Sequence, residues 1–174
     1  EDFSEMMWKK LGITSKKEEN DQLIQQLLEN LQQTETDFTI LFRNLNQIKK
    51  DDSVEDCVSK INFAFYKPEE VTGIILETWH FWFAQYLTIL KEENNSDLER
   101  KTILNSVNPK YVLRNYMAQT AIELAEKEDY SLIDELYTLL LNPYDEQPEF
   151  EKWFAKRPDW ARQKIGSSML SCSS

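Results

Sequence analysis

Apolar residues recur along this chain at helical spacing in nearly every stretch. In the first, Phe3, Met6, Met7 and Leu11 follow i, i+3, i+4, i+8, and Gly12 predicts the stop. After a charged link over 13–20, a run beginning at Asp21 puts Leu23, Ile24, Leu27, Leu28 and Leu31 on one buried face. Thr36-Asp37 is read as the cap of a third helix carrying Phe38, Leu41, Phe42, Leu45 and Ile48, and Ser53 as the cap of a fourth through Val54, Cys57, Val58 and Ile61. Pro68, backed by Glu69 and Glu70, predicts the start of a long helix reaching Glu93. Its stripe runs through Val71, Ile74, Ile75, Trp79, Trp82, Tyr86 and Ile89, widened by Phe81 and Phe83, so this helix is expected to be central.

Asn94-Asn95-Ser96 predicts a turn, and Asp97 to Val107 a shorter helix with solvated charges. Asn108 to Asn142 reads as a helical hairpin. Asn108 caps its first helix with Pro109 behind it, and Val112, Leu113, Tyr116, Met117 and Ala121 form the stripe. The break falls at Glu128-Asp129, after which Leu132, Ile133, Leu136, Leu139 and Leu140 recur until Asn142-Pro143 ends the second helix. Beyond it, prolines 143, 148 and 158 leave room only for brief helical turns in a strap pinned by Trp153, Phe154 and Trp160. The pattern predicts an all-α chain, a multi-helix bundle over 1–142 followed by an irregular strap and tail over 143–174, together one structural unit.

Composition supports this. Apolar residues make up 41%, and three glycines with five prolines among 174 residues favour a helical core. The size suits one domain or one large piece of a longer protein, and a start at Glu1 without a visible signal peptide is expected of a trimmed piece. A net charge of −11 would repel a phosphate backbone, and Lys49-Lys50 is followed at once by Asp51-Asp52, so nucleic acid is not an expected partner. Glu77, His80 and Gln85 interrupt the most apolar stretch, Val71 to Leu90, so no membrane association is expected either.

Candidate chemistry is sparse. Cys57 and Cys172 lie far apart without C-x-x-C spacing, which supports neither a disulfide framework nor a zinc site. Cys57 falls on the apolar face of its helix and is expected to be an inert core thiol. His80, the sole histidine, stands near Glu77 without a second ligand or a nucleophile. Arg43 is expected to be a surface residue pairing with a carboxylate. No Gly-rich phosphate loop, H-E-x-x-H or G-x-S-x-G is present.

The residues in order are more specific than their pattern. VNPKYVLRNYMAQTAIELAE, KEDYSLIDELYTLLLNPYDE, RPDWA and the terminal SCSS closely resemble the carboxy-terminal part of the selenoprotein O family, as do TDFTILFRNL from Thr36 and WHFWFAQYL from Trp79. The resemblance implies a parent with a protein-kinase-like fold, a pseudokinase that binds ATP with magnesium and transfers AMP to Ser, Thr or Tyr of protein substrates. It places the nucleotide- and metal-binding motifs in a kinase-like core preceding this chain, which then has no catalytic, cofactor-binding or metal-binding residues of its own and no activity alone. The chain would complete the helical part of the kinase-like C-lobe. Cys172 matches the position of selenocysteine or cysteine in members and implies a redox switch with a cysteine in the kinase-like activation segment. Arg157-Pro158-Asp159-Trp160 departs from the family's Pro-Pro-Asp-Trp-like turn, and 163–170 is longer than usual. The SCSS ending resembles bacterial members and implies a bacterial cytoplasm; a eukaryotic source would imply mitochondria. The alternative is an autonomous helical interaction module that recognises a partner through the Trp79 to Tyr86 surface, which burial of the tryptophan stripe would decide.

Overall fold

The computed structural model describes residues 3–15 and 19–163. It is all-α. Among the described residues no β-sheet forms, and Thr36 and Phe65 make an isolated antiparallel bridge. The helices are α1 (Phe3–Leu11), α2 (Glu19–Gln33), α3 (Phe38–Asn44), α4 (Val54–Ile61), α5 (Gly73–Glu92), α6 (Asp97–Val107), α7 (Asn115–Ala125), α8 (Ser131–Leu140) and α9 (Asp159–Gln163), with short 3-10 turns at 45–47, 62–64, 68–70 and 148–153. The chain divides into two compact units, residues 1–108 and 109–174. Helices α7 and α8 and the strap fall within the second of these units.

The first unit is built around α5. Trp79, Trp82, Phe83, Tyr86 and Leu90 are buried, and burying each large apolar side chain contributes roughly 1.5–3 kcal/mol. Their polar atoms reach neighbouring helices: the Trp82 indole N–H donates to the Leu23 carbonyl on α2 at 2.9 Å, and the Tyr86 hydroxyl to the Leu11 carbonyl on α1 at 2.6 Å. The caps expected at Asp37 and Ser53 are present, accepting from the Ile40 and Asp56 N–H groups at 3.0 and 3.1 Å. Ser96 and Glu99 close a reciprocal capping box at the start of α6.

The helix expected from Pro68 begins later. Pro68–Glu70 is a single 3-10 turn, and α5 starts at Gly73, whose φ of +52° interrupts a continuous helix. Ile74 and Phe81, assigned to the buried surface, are 69% and 61% exposed. Gly12 does end α1, at φ +69°, and a Cβ there would lie 2.9 Å from the Arg100 side chain. That close approach fixes the residue type twice over.

In the second unit Tyr111, Tyr116, Met117, Ala121, Leu132, Leu136, Leu139 and Ala161 make a core, against which Phe150, Trp153 and Phe154 of the strap pack. Trp160 is half-exposed and lies edge-on against the Tyr116 ring, 6.0 Å between centroids. The hairpin's first helix starts at Asn115, not after Asn108. The Asn108 side chain is engaged elsewhere, donating to the Lys10 carbonyl at 2.9 Å and accepting from the Lys10 ammonium at 3.3 Å. Val112 and Leu113 therefore precede the helix, and Leu113 is half-exposed. Glu128 forms the expected break with φ +64°.

Candidate functional site

The polar side chains that the fold buries lie mostly where helices end. In the first unit α6 turns Arg100 inward, four residues before Leu104 on the same face, and leaves it 0% exposed. Its guanidinium donates to the Ile48 carbonyl, to the Leu45 carbonyl at 3.4 Å and to the Tyr86 hydroxyl at 3.3 Å. This corrects the expectation of solvated charges on α6. Arg43 is buried as well, against the expectation of a surface ion pair, and donates to the carbonyls of Asn105 and Asn108 at 3.3 and 3.0 Å. Both arginines serve backbone acceptors at a helix end or a 3-10 turn. A charged residue at i−4 from a buried leucine was the only signal in the sequence that pointed to Arg100.

Glu93, at the end of α5, is buried and gathers the chain that leaves α1. It accepts from the N–H groups of Thr14 and Ser15 at 3.1 and 2.9 Å and from both hydroxyls. Burial would raise its pKa, but these donors outweigh it and hold the carboxyl below the usual range. Tyr86 is pushed up to about 12 by burial, opposed by Arg100.

The second unit has a lysine clamp. The Lys110 ammonium, with a side chain 8% exposed, donates at 2.6 Å to both Glu146 and Glu151. It also lies 5.5 and 5.3 Å from the Tyr111 and Phe154 ring centres. Burial acts to lower its pKa, but the two carboxylates prevail and raise it above the ordinary value. The N–H groups of Lys110 and Tyr111 donate to the Pro143 carbonyl at 2.8 and 3.1 Å, and the Tyr111 hydroxyl donates to the Gln147 carbonyl at 3.0 Å. The Trp153 indole N–H donates to Glu135 at 2.6 Å. These contacts fix the strap on the hairpin, and a clamp of this kind holds chain segments rather than moving protons.

Of the residues singled out from the sequence, Cys172 lies outside the described residues. Cys57 is 0% exposed, its thiol pushed up to about 12 chiefly by burial, as expected of an inert core thiol. Trp79 and Trp82 are 0% and 1% exposed, so the Trp79 to Tyr86 stripe is core and not the partner surface of an interaction module. Among the described residues, no group of three or more His, Cys, Asp or Glu is placed to hold a metal ion.

A sequence model of the family described as protein adenylyltransferase SelO matches residues 1–141. The chain belongs to the SelO family. A relative in Flavobacterium johnsoniae, named protein nucleotidyltransferase YdiU, is 61% identical over 99% of this chain and 33% of its own length. Proteins of the same name in Aromatoleum aromaticum and Rhodopirellula baltica are each 39% identical, over 100% and 97% of this chain and 32% and 33% of their own lengths. The chain thus spans about a third of the SelO relatives it matches. Among the described residues no helix is long and apolar enough to cross a membrane.

Proposed function

We propose that this chain is the carboxy-terminal helical region of a SelO-type protein adenylyltransferase, supporting a kinase-like pseudokinase core that precedes it and carrying a redox-sensitive tail at Cys172. The observation that carries this reading is 61% identity across 99% of the chain to a protein nucleotidyltransferase of which the chain spans only 33%. In the full-length protein, ATP bound with magnesium supplies the AMP that passes to Ser, Thr or Tyr hydroxyls of protein substrates, the metal neutralising phosphate charge. The contribution of this chain is positional. Arg43, Arg100 and Glu93 hold the first unit's helix ends and loops, and the Lys110 clamp holds the strap from which the tail continues. The 174-residue chain alone is inactive in this reading, and the parent works in a bacterial cytoplasm.

Cys172 is the redox group of the proposal, with its partner cysteine in the preceding core. Cys57 is a poor partner, because burial withholds it and keeps its thiol protonated. AMP transfer by the full-length protein, measured under reducing and oxidising conditions, tests both parts. Activity is expected to depend on redox conditions and to lose that dependence in Cys172→Ser; an unchanged response in the variant overturns the switch. The isolated chain is the control, expected to transfer no AMP, and a titration giving it micromolar ATP affinity overturns the placement of the nucleotide site in the core.

A further inference from the structure

Helix α8 is apolar on its buried side and on an exposed side as well. At about 100° per residue, Leu132, Leu136 and Leu139 share one side and are buried in the second unit's core. Tyr130, at its N-cap, Ile133, Tyr137 and Leu141, at its C-cap, fall on a second side within about 80° of arc, centred about 130° round the helix from the first, and they are 56%, 44%, 67% and 59% exposed. A surface helix ordinarily turns a polar face to water. Here the polar residues Ser131, Asp134, Glu135 and Thr138 occupy only the strip between the two apolar sides. With the exposed Tyr144 just beyond the helix, the outer face presents on the order of 500 Å² from typical side-chain areas, as large as patches that mark contact sites.

We propose that this outer face of α8 docks onto the preceding kinase-like part of the same polypeptide, an inference that rests on the function proposed above. The length supplies the occupant, since the chain spans 33% of its 61% identical relative and the remainder of such a protein lies outside it. Charge argues against a second copy. Asp134 borders the stripe, residues 128–151 contain no Lys or Arg, and the chain carries −11, so a twofold pairing through α8 would set acid against acid. Area argues the same way: about 500 Å² falls short of the roughly 800 Å² that each partner buries in a stable association of separate chains. A contact within one polypeptide escapes most of the entropy lost on association. The receiving surface is therefore apolar, with a Lys or Arg placed to meet Asp134.

The test uses the full-length protein with the photocrosslinker p-benzoylphenylalanine at Tyr137, at Ile133 as a second position, and at Thr138 on the polar strip as control. Irradiation is expected to join positions 137 and 133 to peptides that precede residue 1, at monomer mass and in yield severalfold above the control. Crosslinks into residues 3–107, crosslinks at dimer mass, or a yield no higher than the control overturn the proposal. AMP transfer assayed on the same preparation separates the two readings. Crosslinking without transfer in either redox state counts against the catalytic reading and upholds docking, and transfer without crosslinking does the reverse.

Discussion

Arg100 spends its charge on backbone. With its guanidinium 0% exposed and shared among the Leu45 and Ile48 carbonyls and the Tyr86 hydroxyl, it satisfies acceptors that water cannot reach. Arg100→Met keeps the length of the side chain and strands those acceptors, so it is expected to destabilise the chain by about 3 kcal/mol, read from the urea midpoint. Lysine is not expected to rescue it, because a single ammonium lacks the planar fork. Glu93 makes a pH-dependent contribution. Its folded pKa is lowered, so the stability it supplies is present above the unfolded value of about 4.3 and is lost as pH falls through the folded value. Glu93→Gln is expected to cost about 2 kcal/mol at neutral pH, and the gap between variant and parent melting temperatures should close on acidification. A gap that persists at low pH would show that the carboxylate charge is not the stabilising element.

Among the elements, the hairpin and strap show how a side chain recruited elsewhere moves a helix boundary. Asn108-Pro109 has the composition of a helix start, yet the amides of Lys110 and Tyr111 donate to Pro143 and the helix waits until Asn115. The same Lys110 then holds Glu146 and Glu151. Lys110→Met is expected to leave α7 and α8 folded while raising amide exchange across 148–153 about tenfold, equivalent to about 1.4 kcal/mol of local opening. Since the Lys110 pKa is raised, the clamp's contribution is complete below the unfolded value of about 10.4 and disappears as pH climbs through the folded value. Exchange in the strap of the parent chain should therefore accelerate selectively at strongly alkaline pH.

Over the whole molecule, the all-α class and most helices were legible from apolar spacing, because α1, α2, α3, α4, α5 and α8 each carry a stripe of apolar residues at helical spacing. Periodicity could not show where polar side chains are spent. Arg43 and Arg100 were legible only as charges, since the carbonyls they serve become neighbours through folding over 52 to 65 residues of sequence. Pro68 looked like a helix start because its chemistry suits one, and Gly73 overrides it with a left-handed φ. The family was legible from residue order, and Cys172, its one chemically reactive candidate, lies outside the described residues. The two units, each with its own core, should also open separately. In the isolated chain, exchange at the fully buried Trp79 to Leu90 segment is expected to require a larger opening than exchange in α8, whose unit has the smaller core. Equal protection would mean the units unfold as one.

The Pro143 carbonyl, which accepts from both Lys110 and Tyr111, has a topological consequence. It ties the polypeptide at the point where it enters and leaves the hairpin, forming a neck, so continuity at the tip is structurally redundant. Lys127 stands exposed in that tip, and a tryptic nick after it would leave two peptides already stitched together at the other end and zipped along the Met117–Leu136 core. They should elute as one species under native conditions and part only in denaturant, making the hairpin a natural split point for reconstitution by fragment complementation.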